Sequence, residues 1–415
     1  MKKRYYLSDL FLIEALSKNN LIIAPVGSGK TYFIFNELIP KYKGKKLYLC
    51  DNENLEQQVI VENSTKTSSE KSKYENLRYG FGDKVEVMCY NAFAKQVSSL
   101  DINEGMKIIE KYDLIIADEI HNLIDYQKFT DSKDLWRLME LLFTKKYNNT
   151  TIVLMTATPY YVEKLKEKFS TALNGFKIFD FDKNKNIKRY IERRKVYINH
   201  INQIENQLRQ YEQAFQYADM KCLIYTKCIT DMKKIEAMCL RLNLTPICIW
   251  SENNSKHKLS DEQIDFRDYL IKEKNIKDPY NVLIINKAME TGINIEDEDQ
   301  DIGVVIVNTT NITEQIQARG RVRHDIDLII VRTNNSKEVF ESNVINLNSK
   351  WLNKPLTKQD KEDLCTELQY YNDCGRPIKW TTIKRILKEN GYAIKSIKPI
   401  IDSKRVNCEI IKKEK

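Results

Sequence analysis

Ala24-Pro25-Val26-Gly27-Ser28-Gly29-Lys30-Thr31 has the composition of a loop that wraps backbone amides around phosphate. Gly27 and Gly29 carry no Cβ, so the amides around Ser28 can approach phosphate oxygens closely, and the helix expected from Lys30 onward adds its positive end. Lys30 supplies a point charge for the β and γ phosphates, and the Thr31 hydroxyl suits a magnesium ion. The strict pattern has glycine where this chain has Ala24. Further on, Asp118-Glu119-Ile120-His121 places two carboxylates side by side. Asp118 fits a magnesium ligand acting through the water shell, Glu119 a base that orients and deprotonates water, and His121 a relay. Thr156-Ala157-Thr158 brings two hydroxyls to the end of the next apolar run. The chemistry expected of this set is hydrolysis of ATP with Mg2+.

A third group lies in the second half of the chain. Gly292 belongs to a tight turn after an apolar run, and Gln317-Ala318-Arg319-Gly320-Arg321-Val322-Arg323 follows the next run. A planar guanidinium offsets charge on a transferring phosphoryl group, which singles out Arg321 and Arg323.

These residues need strands that end at one edge of a sheet. Short apolar runs without alternation occur at 21–24, 47–50, 85–89, 114–117 and 152–155, and again at 222–225, 246–250, 282–285, 304–307 and 328–331. Strands buried on both faces indicate parallel sheets covered by helices. The fold class expected is α/β, with two doubly wound parallel-sheet lobes over 1–180 and 181–340 and a small helical, winged-helix-like domain over 341–415. Apolar positions from Ile198 to Phe215 step by three or four and predict one amphipathic helix opening the second lobe. Residues 61–75 are polar and hydroxyl-rich and read as a surface loop.

The set as a whole resembles the superfamily 2 helicases of the DEAD/DEAH-box kind, here with a DEIH box, over about residues 7 to 335. The arginine segment is similar to that of RNA-sensing helicases and related phage or plasmid enzymes. The resemblance implies two RecA-like lobes with ATP between them. It also implies that Lys30, Thr31, Asp118 and Glu119 carry the nucleotide chemistry, that His121, Thr156 and Thr158 couple it to movement, and that Gly292, Gln317, Arg321 and Arg323 act from the second lobe. His324 stands where many relatives have a last arginine, and no adenine-reading glutamine precedes Gln57.

The chain has a formal net charge of +9, and residues 376–413 hold eleven Lys or Arg against three acids. A polyanionic partner follows from that concentration of charge. The basic helix near Lys384, Arg385 and Lys388, with Lys404 and Arg405 beyond it, suits phosphate contacts on DNA. DNA is therefore favoured over RNA, with an RNA helicase, an ATP-switched origin or DNA-binding factor, and a restriction-enzyme motor subunit as alternatives. Nine scattered cysteines, no apolar leader and no apolar run of bilayer length suggest a cytoplasmic protein with no membrane partner. A monomer is expected, with replication or phage-encoded proteins as possible associates.

Overall fold

Each of these apolar runs forms a parallel strand, its ends shifted by no more than two or three residues. The computed structural model describes residues 4–51, 85–98, 101–126, 133–158, 173–251, 254, 256–287, 293–296, 301–342, 347–371, 376–401 and 404–413. The polar loop at 61–75 and Gly292 lie outside these described residues. The chain divides into two compact units, Met1–Tyr190 and Ile191–Lys415.

The first unit holds a six-stranded sheet in the order β3-β2-β4-β5-β1-β6. Its strands are β1 (Asn19–Ile23), β2 (Lys46–Cys50), β3 (Val85–Cys89), β4 (Leu114–Ala117), β5 (Thr151–Thr156) and β6 (Lys177–Asp180). All pair in parallel. One face packs Leu21, Leu47, Ile115 and Leu154 against helices Tyr90–Ser98 and Lys133–Thr144, and the other packs Ile22, Tyr48, Ile116 and Val153 against the segment after the phosphate loop. Covering both faces is why these strands read as unbroken apolar runs.

The second unit repeats the plan, in the order β7-β12-β11-β8-β10-β9. Here β7 is Glu192–Ile198, β8 Lys221–Thr226, β9 Pro246–Ile249, β10 Val282–Ile285, β11 Ile302–Asn308 and β12 Ile326–Arg332. The strands again pair in parallel and are buried between two cores.

Three features differ from the sequence expectation. Strands β6 and β7 carry no apolar run because many of their side chains meet solvent; both lie at sheet edges, where exposed charged residues such as Arg193, Arg194 and Lys195 keep unpaired backbone from other strands. The single helix expected from Ile198 to Phe215 is instead the end of β7, a turn, and two helices, Gln203–Gln210 and Glu212–Tyr217, broken at Tyr211. Gln203 Oε1 accepts from the backbone N–H of Asn199 and His200 and fixes that turn, while Ile198, Ile201, Ile204, Leu208 and Phe215 still reach one core. The helix after the phosphate loop runs to Lys41, but its middle, Phe33–Leu38, widens into a π turn.

Within the second unit, residues 347–413 build a further small core around Trp351, Leu364, Ile383, Ile386, Leu387 and Ile411. It comprises helices Lys358–Leu368 and Trp380–Glu389 and an antiparallel hairpin, β13 (Tyr392–Ile397) with β16 (Cys408–Lys413), extended by β14 (Ile400–Ile401) with β15 (Lys404–Arg405). Tyr371 anchors this segment: its ring stacks on His200 at 4.0 Å, and its carbonyl accepts from Asn199 Nδ2 at 2.6 Å. No helix among the described residues is long and apolar enough to cross a membrane.

Glu409 on β16 ties the small core together. Its carboxylate accepts from Trp380 Nε1 at 2.5 Å, from Lys384 Nζ, and pairs with Lys361 Nζ at 3.1 Å. Burial alone would raise its pKa, but hydrogen bonds from Lys384, Trp380 and Lys361 prevail and lower it from 4.5 to about 2. The folded state therefore gains stability from this group above its ordinary pKa and loses it as pH falls from about 4.5 towards 2. Glu409→Gln should cost about 2 kcal/mol at neutral pH in chemical denaturation, because two ammonium groups lose their counter-charge. The gap from the parent should close as the pH is lowered through that window, and a gap constant down to pH 2 would contradict the assignment.

Candidate nucleotide site and the arginine segment

The phosphate loop leaves β1 at Ala24, whose N–H donates to the Thr156 carbonyl at 3.0 Å. The backbone at Gly27 (φ 79°) and Gly29 (φ 82°) is left-handed, a conformation side chains with a Cβ rarely adopt. Both glycines are also closely covered. A Cβ on Gly27 would lie 2.7 Å from the Tyr190 ring, and one on Gly29 would lie 3.1 Å from the Tyr6 ring. The Ser28 carbonyl accepts from Leu7 N–H at 2.8 Å, which ties the N-terminal segment to the loop. Ser28 Oγ is buried and has no hydrogen-bond partner among the described residues. Lys30 Nζ donates to the Ala24 carbonyl at 3.2 Å and lies 3.7 Å from Glu119 Oε1, so its charge sits over the loop. Thr31 is exposed.

Strand β4 ends at Ala117 and delivers Asp118, which is 7% exposed. Its carboxylate accepts from Tyr48 Oη at 2.7 Å and from Glu119 N–H at 2.9 Å, while its carbonyl accepts from Tyr90 Oη at 2.6 Å. Desolvation raises the Asp118 pKa to about 6, the Glu119 charge adds to the rise, and Lys30 opposes it. Burial and Asp118 push both tyrosines well above their ordinary range, so they remain donors. Sequence reading missed Tyr48 and Tyr90; one is the middle residue of β2 and the other begins the helix after β3, positions that look purely structural.

Glu119 adopts φ 47°, a left-handed conformation that costs a non-glycine residue about 1 kcal/mol or more. The turn is held in place because Ile120 N–H donates to the Met155 carbonyl at 3.0 Å. In this position Glu119 Oε2 accepts from Ala157 N–H at 3.4 Å and lies 3.4 Å from His121 Nδ1. His121 Nδ1 also lies 3.1 Å from Thr156 Oγ1, which in turn is 3.1 Å from Thr158 Oγ1. All three of these side chains are buried. The structure thus brings Lys30, Glu119, His121, Thr156 and Thr158 into one continuous polar chain.

In the second unit, Gln317 is buried on helix Ile312–Gly320. The segment 321–323 pairs with 293–295: Ile295 N–H donates to the Arg321 carbonyl at 2.7 Å, and Arg323 N–H to the Ile295 carbonyl at 2.8 Å. Val322 is buried, while Arg321 and Arg323 on either side of it are half-buried. Arg321 Nη1 donates to the Ile293 carbonyl at 3.4 Å, and Arg323 donates through Nε and Nη2 to Asn294 Oδ1 at 3.2 and 2.8 Å. Asn294 is thus a positioning residue that composition did not reveal.

Arg319 differs from its neighbours. It is 6% exposed, pairs with Glu192 at 2.9 Å and donates to the carbonyls of Val322, Ile191 and His324. It fastens edge strand β7 to the arginine segment. Among the basic residues near the C-terminus, Arg385, Lys388, Lys404 and Arg405 are exposed, whereas Lys384 is held by Glu409.

The chemistry of the donor set fits magnesium: a carboxylate at Asp118 and a hydroxyl at Thr31 are hard oxygen ligands, the kind Mg2+ takes in small number beside phosphate and water. No group of three or more His, Cys, Asp or Glu that could cage a metal occurs among the described residues.

Residues 8–161 match the family described as type III restriction enzyme, res subunit. The match takes in the phosphate loop, the two carboxylates and both threonines. No curated protein sequence matches. Among solved structures, one of Mss116p bound to single-stranded RNA and AMP-PNP is 16% identical, covers 91% of this chain and 80% of that one, and gives a TM-score of 0.51. The helicase domain of Pyrococcus furiosus Hef is 13% identical over 80% of this chain and 96% of that chain (TM-score 0.43), and S. cerevisiae Dbp5 with RNA and ADP BeF3 is 14% identical over 90% and 89% (TM-score 0.47). Both parallel sheets with their flanking helices have the fold of RecA-like helicase lobes.

The arginines should separate by what their loss affects. Arg319→Ala should lower stability by about 2–4 kcal/mol, since it strips a buried pair and three carbonyls of their donor. Arg321→Ala and Arg323→Ala should shift the unfolding midpoint little. Equal destabilisation by all three would remove the distinction.

Proposed function

We propose that the chain is an ATP-hydrolysing nucleic-acid helicase or translocase acting on DNA. The observation that carries this reading is the polar chain from Lys30 through Glu119 and His121 to Thr156 and Thr158. It links a phosphate-binding charge to a base and onward to buried hydroxyls at the end of a neighbouring strand. Lys30, with Gly27, Ser28 and Gly29, would bind the phosphates. Asp118 and Thr31 would hold Mg2+, which when bound offsets phosphate charge. Glu119 would take the proton of the attacking water, its carboxylate held by Ala157 N–H and His121. Arg321 or Arg323 would supply the guanidinium that stabilises the transition state, Asn294 and the Ile293 carbonyl setting its direction. Gln317 and Gly292 are assigned to the same step by resemblance.

The preference for DNA rests on exposed Arg385, Lys388, Lys404 and Arg405, carried by helix Trp380–Glu389 and the β14–β15 hairpin. Lys384 contributes indirectly, through its pair with Glu409. The family match, to a restriction-enzyme subunit, favours DNA as the substrate, and the RNA in the Mss116p structure favours the alternative of an RNA helicase.

The deciding experiment is ATP turnover by the full chain with single-stranded, duplex and forked DNA and RNA. Stimulation by DNA well above that by RNA is expected, and the reverse would transfer the assignment to RNA. Lys30→Ala should reduce turnover to background. Glu119→Gln should bind ATP and remain on nucleic acid without hydrolysis, at a rate on the order of a hundredfold or more below the parent; normal turnover would remove Glu119 as the base. Replacing Arg385, Lys388, Lys404 and Arg405 with alanine should weaken duplex binding and flatten its dependence on salt, basal turnover being unchanged.

A further inference from the structure

We infer that Tyr190 and Ile191 form a joint through which the phosphate loop and the arginine segment act on one another, with Tyr190 as its positioning residue. The first compact unit ends at Tyr190 and the second begins at Ile191. Consecutive Cα atoms stand about 3.8 Å apart across a trans peptide, so the connection between these two residues has no slack. A flexible linker rich in glycine and serine would instead isolate one unit from the other.

Each side of this short connection is fastened to a different part of the proposed chemistry. Tyr190 is half-buried against the phosphate loop, close enough that a Cβ on Gly27 would lie 2.7 Å from its ring. The residues leading to it are held as well: Lys188 N–H donates to the Tyr5 carbonyl at 2.7 Å, and Arg189 Nη2 donates to the Asn184 carbonyl at 3.2 Å. On the other side, both backbone groups of Ile191 are engaged. Its N–H donates to Asp325 Oδ1 at 2.8 Å, and its carbonyl accepts from Ile326 N–H at 2.9 Å and from Arg319 Nη2 at 3.2 Å. Arg319 in turn donates to the carbonyl of Val322, the residue between Arg321 and Arg323.

The rotations left between the two anchorages are ψ of Tyr190 and φ of Ile191. Gly27 lies among the amides that phosphate would draw together, and without a Cβ the loop meets the Tyr190 ring through bare backbone. A change in the loop on phosphate binding is therefore passed to the ring and on to Ile191 and Arg319, because no intervening chain absorbs it. The same glycine that admits phosphate thus admits the residue that reports on it.

This inference rests on the nucleotide chemistry proposed above, and the test separates the two. In the full-length parent, AMP-PNP with Mg2+ should change hydrogen exchange at the Ile295 and Arg323 amides, which pair the arginine segment with 293–295. In Tyr190→Ala that change should vanish while AMP-PNP affinity stays at the parent's value, and kcat for ATP should fall about tenfold with KM little altered. Tyr190→Phe, which keeps the ring, should behave as the parent. Asp325→Ala, which acts on the other side of the joint, should give the same loss of kcat, and the double variant should lose no more than either single one. Losses that multiply in the double variant, or amides of Ile295 and Arg323 that still respond in Tyr190→Ala, would overturn the joint. A parent that binds no AMP-PNP would overturn the nucleotide reading itself, whereas normal binding with kcat unchanged in both single variants would overturn the joint alone.

Discussion

Thr156 is the point on which the candidate nucleotide site depends. It ends β5, which lies between β4 and β1 in the sheet. Its carbonyl accepts from Ala24 N–H and so fixes where the phosphate loop departs; its hydroxyl meets His121 and Thr158. One residue earlier, the Met155 carbonyl accepts from Ile120 N–H and holds the turn that sets Glu119 at positive φ. Segments more than ninety residues apart in sequence are thereby positioned from one strand end. Parallel pairing makes this possible, because every strand then brings its carboxyl end to the same edge.

Burial then decides what the charges at that edge can do. Asp118 is removed from water and would be costly to ionise alone, and the Tyr48 hydroxyl and the Glu119 backbone amide compensate, while the Tyr90 hydroxyl satisfies its backbone carbonyl. Glu119 is more exposed, at 23% for its side chain, and faces Lys30. Adjacent carboxylates thus have different environments, the arrangement by which one can hold an ion while its neighbour exchanges a proton.

Much of this was legible in the sequence, for identifiable reasons. Strands buried on both faces leave unbroken apolar runs, so the sheets could be placed, and glycines at left-handed positions marked the phosphate loop. Edge strands β6 and β7 left no such mark because half their side chains meet solvent. The interval from Ile198 to Phe215 misled because apolar residues spaced by three or four reach one core whether a helix or a strand end and a turn carries them. Tyr48, Tyr90 and Asn294 were invisible for a different reason: each acts through a partner distant in sequence, and residue type alone does not announce a partner.

The basic residues show the same limit most clearly. Arg319, Arg321 and Arg323 occupy alternate positions in the sequence and are chemically identical, yet one is enclosed by Glu192 and three carbonyls while the other two flank buried Val322 beside Ile293 and Asn294. Lys384 and Arg385 are adjacent, yet Glu409 holds the first and the second is exposed. A charge already surrounded by donors or acceptors of its own fold gains little by exchanging them for a ligand's. A charge at the surface loses only water. On the function proposed above, contacts to a polyanion would therefore fall to those cations whose internal partners are few, and position in the fold, rather than count along the sequence, determines which they are.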